Sequence, residues 1–434
     1  MVMLPVKEAE SVILSLVQPF EQQLDAEIVD LSSATGRILA CLVTSKLDFP
    51  HWDNSAMDGY AVRYADVQSC NADQPAILEI IEEIPAGYQP QCSIQTGQAA
   101  RIFTGGEMPK GADTVVMQER TRREANRVLI LEAPEPQAFV RHRAAFYQAG
   151  TPLLMPGTFL GAAEIAVLAT AQCTQLRVYR RPRVAILSTG NELVTPEQPL
   201  QPGQIVDSNQ YALAAFVALS GGIPVPLGIV PDQPEKLQEA IACAISQADI
   251  VLSTGGVSVG DYDYVEQILA QLGGEIHIRA VAVKPGKPLT VASFPTPLAS
   301  RGQGASSRSI VYFGLPGNPV SALVSSWRFV QPALSKLSGL PEEAWGPVFV
   351  KAIAQHDLHS NGRLETYLWG QLRLNASGFS EFHLAGGSHS SGNLINLAQT
   401  TGLAVVPVGQ SFIPTSEPVQ VLQLGSPLLA LQFK

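Results

Sequence analysis

Between residues 184 and 338, short apolar runs alternate with longer amphipathic ones. "VAIL" (184–187), "IPVPLGIV" (223–230), "DIVLS" (249–253), "EIHIRAVAV" (275–283) and "SIVYF" (309–313) predict strands. Helices are predicted from Asp207-Ser208 to Leu219, over "PEKLQEAIACAISQ" (234–247), over "YVEQILAQLGG" (264–274), and from Pro319 through "PVSALVSSWRFVQPAL". Gly221-Gly222 and Gly273-Gly274 stop two of them. Strand and helix in alternation predict a doubly wound α/β domain with a largely parallel sheet, over 178–338. After 345 the strands follow one another without helices: "GPVFVKAIAQ", "ETYLWGQLRLN", "LAVVPVG" and "VQVLQL". A small β-barrel or sandwich over 345–434 fits that pattern.

The first half is less regular. "VKEAESVILSLVQPF" (6–20) and "LGAAEIAVLATAQCTQL" (160–176) read as helices. Between them, "AILEIIEEIPAGY", "GQAARIFTGGEMPKGADTVVMQE" and "RVLILEAP" are short β runs with Gly and Pro corners. The expectation is a discontinuous helical domain, 1–49 and 138–177, carrying an inserted β-rich domain, 50–137. The arginine-rich run "RVYRRPR" (177–183) reads as a solvated linker, and 295–308 as a polar Ser/Gly-rich loop.

Composition narrows the function. The 434 residues are 46% hydrophobic and carry a net charge of −10, so a nucleic-acid partner is not expected. The longest uncharged run, between Asp207 and Asp232, is broken by Gly221-Gly222, Pro224 and Pro226, so no membrane span is expected either. The N-terminal stretch has early acids and does not read as a signal peptide. Five scattered cysteines without metal spacing fit a reducing cytoplasm.

Ligands of open α/β sheets sit at the carboxyl ends of the strands. Three glycine loops are predicted there. Ser188-Thr189-Gly190-Asn191-Glu192 follows "VAIL". Gly255, Gly256, Ser258, Gly260, Asp261 and Asp263 follow "DIVL". Gly314, Pro316, Gly317, Asn318 and Pro319 follow "IVYF". "LSTG" occurs twice, at 187–190 and 252–255. Glycines let backbone N–H groups converge on a phosphate, and a helix N-terminus adds partial positive charge. Glu192, Asp261 and Asp263 add hard oxygen ligands that suit Mg²⁺; the last two also suit helix capping. Lys284-Pro285-Gly286-Lys287-Pro288 is a stiff loop whose two ammonium groups can meet one anion. A serine hydrolase is a rival reading, from the G-x-S-x-G pattern at 256–260 with His277 and Asp263. It is disfavoured because His277 sits inside a predicted strand. His356, His359, His383 and His389 read as ordinary surface residues of the β domain.

"WDNSAMDGYAV" (52–62) crowds two carboxylates, an amide and a hydroxyl beside apolar residues, which alone reads as a turn. With "DNSAMDGYAV" (53–62), "ARIFTGGEMPKGADTVVMQE" (100–119), "STGNEL" (188–193), "GQIVDSN" (203–209), "TGGVSVGDYD" (254–263), "KPGKP" (284–288) and "GLPGNPVSA" (314–322) in that order, the chain resembles the molybdopterin molybdenumtransferase family, bacterial MoeA and the gephyrin E domain. The resemblance implies a four-domain, L-shaped subunit in a homodimer, with the active site between the α/β domain of one copy and the β-rich domain of the other. It implies insertion of molybdenum from molybdate into adenylylated molybdopterin, with release of AMP and with Mg²⁺ as cofactor. Asp53, Asp58 and Thr104 would then face Glu192, Asp232, Asp263, Lys284 and Lys287. Asp58, Glu192, Asp261 and Asp263 would serve the metal. Ser188, Thr189, Gly190, Pro285, Gly286 and Ser391 would join the glycine loops on the cofactor. A molybdopterin adenylyltransferase and apo-molybdoenzymes are implied partners.

Three departures stand out. Ala144-Ala145-Phe146 replaces the family's Gly-Glu-Asp, so an acid is missing. Leu368-Trp369 stands where an arginine is usual. "QGSG" becomes His389-Ser390-Ser391-Gly392. These keep two alternatives open: a related adenylyltransferase, and a non-catalytic scaffold.

Overall fold

The computed structural model describes residues 3–255, 262–295 and 308–425, without the side chains of Tyr262 and Asp263. The chain forms two compact units. One comprises Met1–Cys41, Pro156–Ala166 and Thr174–Lys434; the other comprises Leu42–Met155 and Val167–Cys173. Among the described residues no helix is long and apolar enough to cross a membrane.

The larger unit is built around a six-stranded sheet. Ile223–Val230, Arg183–Thr189, Ile250–Thr254 and Ile310–Leu315 run parallel in that order. The two central strands, Ile250–Thr254 and Ile310–Leu315, are buried at every position, as strands covered on both faces must be. Pro224 and Pro226 are tolerated because Ile223–Val230 is an edge strand with one unpaired side. Helices form at Asn209–Leu219, Pro234–Gln247 and Tyr262–Gln271. Asp207, rather than Ser208, caps the first, its Oδ1 accepting the Gln210 N–H at 3.2 Å. The helix from Pro319 runs to Ser325, widens into a π-turn over Ser326–Val330, and resumes over Gln331–Leu337. Pro332 lacks the N–H that a regular helix would need there.

Two features depart from the expected parallel pattern. Pro288–Phe294 is an additional strand, antiparallel to both Ile310–Leu315 and Glu275–Ala280. The predicted strand 275–283 ends at Ala280, and Val283–Lys284 pairs instead with Glu365–Thr366 of the C-terminal region. There Glu365–Leu374, Ser380–Leu384, Phe349–Ala354, Pro418–Gln423 and Gly402–Val406 close on themselves as a small barrel. The helical segments also carry sheet: Ala26–Asp30 pairs antiparallel with Gln175–Tyr179.

The run 177–183 is not a solvated linker. Arg180 grips Asp249 through both terminal nitrogens, at 2.7 and 2.6 Å, and donates from Nε to Asp25 at 3.1 Å. Arg308 also binds Asp25, and both guanidinium groups lie over the Phe20 ring, at 4.2 and 4.7 Å. Arg177 donates to the Gln22 carbonyl and Arg183 to that of Gln247.

The smaller unit holds a second six-stranded sheet, ordered Thr114–Met117, Gly59–Val62, Gln98–Ile102, Ala76–Ile84, Arg127–Ile130 and Thr121–Glu124. Only glycine fits at 59, where a Cβ would lie 2.1 Å from the Val116 carbonyl oxygen.

Burial pushes the Asp25 carboxyl up, but Arg308, the Glu21 N–H and Arg180 together hold it below its ordinary value. A depressed folded pKa stabilises above the unfolded value of about 3.9 and is lost as pH falls through the folded one. Asp25→Ala should lower stability by about 3 kcal/mol at pH 7. Urea unfolding of variant and parent should converge as pH drops below 4.

Candidate active site

The carboxyl edge of the parallel strands gathers the glycine corners. Ser188 and Thr254 are register partners on adjacent strands, and the Thr254 hydroxyl donates to Ser188 Oγ at 3.1 Å. The two "LSTG" copies therefore stand side by side. Gly255, at φ +87°, is pressed onto its neighbour: a Cβ there would lie 2.2 Å from the Thr189 carbonyl oxygen. Gly317 adjoins it, since a Cβ on Gly317 would lie 3.6 Å from the Gly255 Cα. Gly314 and Pro316 are buried at the end of Ile310–Leu315, and Pro319 opens the following helix. Asn318 Nδ2 donates to Ser391 Oγ at 3.1 Å, bringing the loop at 385–392 to the same edge.

Two carboxylates flank Asn191. Asp232 Oδ2 accepts the Asn191 N–H, and Asn191 Oδ1 accepts the Asp232 N–H, both at 3.2 Å. Glu192 folds back over Gly190, where a Cβ would meet its Oε2 at 2.7 Å. Both acids are exposed. Among the described residues no three His, Cys, Asp or Glu side chains gather as a metal nest. Gly256, Ser258, Gly260 and Asp261 lie outside the described residues, as does the side chain of Asp263.

Lys284 and Lys287 are exposed on either side of Pro285-Gly286. Gly286 is buried at φ +112°, and a Cβ would strike Ser325 Oγ at 2.6 Å. The loop is thus seated on the helix that begins at Pro319.

In the smaller unit, Asp58 Oδ1 accepts both the backbone N–H and the hydroxyl of Thr104, each at 2.8 Å. Those bonds hold its carboxyl below the ordinary value. Asp53 is held by the segment that lacks the family acid: Oδ1 accepts the Arg143 N–H at 2.7 Å, and Oδ2 lies 3.2 Å from His142 Nδ1. Asn54–Ser55 pairs with Val140–Arg141, which brings the two segments together. Ala144 sits at φ +62°, where glycine is usual, and Phe146 is exposed.

Sequence reasoning gave Asn209 no role. Asn209 Nδ2 donates to the Gly317 carbonyl at 2.7 Å, so it belongs to the edge. Its motif, "GQIVDSN", carries the family resemblance and marks a helix start, but neither singles out Asn209. His389 is not an ordinary surface residue. Its ring packs on Trp369 at 4.4 Å, with Nδ1 out of solvent and unpartnered. The hydrolase reading fails at His277, whose Nε2 engages Ser293 of the neighbouring strand at 2.8 Å.

Comparison with known proteins matches three family models in succession: the MoeA N-terminal region (domain I and II) over 4–171, a probable molybdopterin binding domain over 185–336, and the MoeA C-terminal region (domain IV) over 351–424. A molybdopterin molybdenumtransferase of Nostoc sp. is 62% identical, covering 96% of this chain and 93% of that one. One of Haemophilus influenzae is 34% identical, covering 92% and 96%. The crystal structure of the molybdopterin biosynthesis moeA protein of Pyrococcus horikoshii superimposes with a TM-score of 0.80 at 28% identity, over 98% of this chain and 100% of that one. With its glycine edge and its closed C-terminal barrel, the chain belongs to the MoeA family of molybdopterin molybdenumtransferases.

Proposed function

We propose that the chain inserts molybdenum into molybdopterin, using adenylylated molybdopterin and molybdate, cleaving the phosphoanhydride and releasing AMP. The observation that carries this reading is the paired hydroxyl-glycine edge, with Gly317 and Asn318 beside it. Backbone N–H groups of such corners suit a phosphate. Lys284 and Lys287 would neutralise the anhydride and the arriving oxyanion, stabilising charge that grows in the transition state.

Mg²⁺ fits this donor set. It needs one or two carboxylates and takes its remaining oxygens from phosphate and water. Glu192 and Asp232 would hold it; bound, it would neutralise phosphate charge. The Glu192 carboxylate accepts no protein donor among the hydrogen bonds of the described residues, which leaves it open to a cation.

Two donors from Thr104 on one oxygen of Asp58 favour its ionised form and hold the carboxyl below its ordinary value. We assign Asp58, with Asp53 and Thr104, to the site of a partner copy in a homodimer, so that each catalytic centre draws on two chains. Five free cysteines favour the cytoplasm.

The direct test is AMP release from adenylylated molybdopterin in the presence of Mg²⁺ and molybdate. The wild-type chain should release AMP, and Asp58→Asn or Lys284→Gln should slow release by roughly 100-fold. Binding of the substrate without AMP release would replace this reading with the scaffold. Mixing the two inactive variants should restore activity, because one site in each mixed dimer receives an intact Asp58 and an intact Lys284. No recovery after subunit exchange would remove the shared-site assignment.

The Asp58 carboxyl can also be followed on its own. Thr104→Val deletes one of its two donors, so its pKa should rise toward about 3.9, as read by carboxyl NMR titration. Asp58 favours the folded state above its unfolded pKa, and that contribution disappears as pH falls through the depressed folded one. In the variant it should therefore disappear at a higher pH.

A further inference from the structure

Two buried polar atoms on the glycine edge have no hydrogen-bond partner among the described residues. Thr189 is 5% exposed, and its Oγ1 is shielded from water with no hydrogen-bond partner. Asn209 Oδ1 is likewise shielded and unpartnered. The Asn209 amide cannot simply turn over to find a donor, because its Nδ2 is committed to the Gly317 carbonyl at 2.7 Å. The two groups belong to one rim. A Cβ on Gly255 would lie 2.8 Å from Thr189 Oγ1, and one on Gly317 would lie 3.6 Å from the Gly255 Cα. Thr189, Gly255, Gly317 and Asn209 thus follow one another without a gap.

Buried polar groups in native proteins are nearly always paired, and leaving one unpaired costs free energy. Here two such groups sit at the carboxyl edge of the sheet, where a ligand is expected. Asn209 Oδ1 can only accept, so a ligand that completes it must bring an N–H or O–H donor, whereas the Thr189 hydroxyl can accept from that ligand or donate to it. A phosphate dianion brings none, and neither does molybdate. The aminopyrimidinone edge of a pterin brings a ring N–H and an exocyclic NH₂.

We propose that Asn209 and Thr189 read the pterin of molybdopterin, Oδ1 and Oγ1 accepting from its N–H edge. This rests on the function proposed above and adds the substrate group that the corner recognises. In this arrangement Gly255 and Gly317 serve two ends. Their backbone faces the phosphate, and their missing side chains leave the flanking acceptors uncovered. The adenine amino group of the AMP half is the other source of N–H donors in the same substrate, so the two halves must be tested separately.

The experiment is equilibrium binding of molybdopterin and, separately, of AMP, with thermal unfolding of each ligand-free protein. Thr189→Val keeps the shape and removes an unpartnered hydroxyl. Its ligand-free Tm should be unchanged or higher, while its molybdopterin Kd rises about 10-fold. Thr189→Ser keeps the hydroxyl and should bind as the parent does. Asn209→Ala should weaken molybdopterin by a similar factor and leave AMP unaffected. Parent-like molybdopterin binding by Thr189→Val and Asn209→Ala overturns the proposal. So does a loss confined to AMP, or a Thr189→Ser variant as weak as Thr189→Val. If the wild-type chain does not bind molybdopterin, the proposed function falls first. If it binds and the variants match it, only the pterin assignment falls.

Discussion

Asp25 is the tie on which the larger unit depends. That unit is assembled from three separate stretches of chain, and the smaller unit interrupts them. Asp25 belongs to the first stretch; Arg180 and Arg308, which bind it, belong to the last. Arg180 then carries the connection to Asp249, immediately before the strand Ile250–Thr254. A carboxylate this deeply buried is costly unless fully paired. Its pairing is complete: two guanidinium groups, the Glu21 N–H, and Phe20 beneath both cations. The strand pairing of Ala26–Asp30 with Gln175–Tyr179 starts at the next residue, so the ion network and the backbone ladder reinforce one another. The parallel sheet, and the edge it presents, rest on that closure.

At the edge the controlling constraint is crowding. The central parallel strands are buried throughout, and the backbone beyond them turns within van der Waals reach of its neighbour. Gly255 against Thr189 is the clearest case. The same absence of side chains that permits this packing leaves N–H groups uncovered for an anion. Structure and binding thus ask for the same residue type, which is why glycine corners alone are weak evidence. What distinguishes this edge is the unsatisfied chemistry around it. Ser325 Oγ under Gly286, and Thr189 and Asn209 on the rim, are polar atoms that packing by itself does not explain.

Much of this was legible in the sequence. The alternation over 184–338 identified the α/β sheet, and the doubled "LSTG" is matched by two corners in hydroxyl contact. Pro319 marked a helix start. What stayed hidden was long-range. Nothing local tells Val283–Lys284 to leave its sheet for a strand eighty residues later, and Pro288–Phe294 reads as the tail of a lysine loop until its neighbours are known. The arginines at 177–183 looked solvated because their partners, Asp25 and Asp249, lie 155 and 69 residues from Arg180. Asn209 was hidden by its ordinary place at the start of a helix. The roles of Asp53, Asp58 and Thr104 were suggested only by family resemblance. Their bonds could not be read from spacing, because Asp58 and Thr104 meet across 46 residues.

The departures from the family pattern bear on whether activity has been kept. Decay would scatter independent losses across the site. Here the changed positions touch one another or compensate locally. Trp369 and His389, two of the unusual residues, are packed ring on ring. Trp369 Nε1 also donates to Asn396 Oδ1 at 2.9 Å, and the Asn396 amide donates to the Gly386 and Ser388 carbonyls, bracing the loop that carries Ser391. In the other unit, the segment that has lost its acid uses Arg143 and His142 to hold Asp53, while Arg143 Nε bonds Asp48 at 2.6 Å. Both sets keep a polar group in place beside a changed one. Coordinated repacking of this kind costs little where the backbone is already fixed, and it leaves the glycine edge untouched. In each unit taken by itself, this pattern favours a retained reaction over a scaffold.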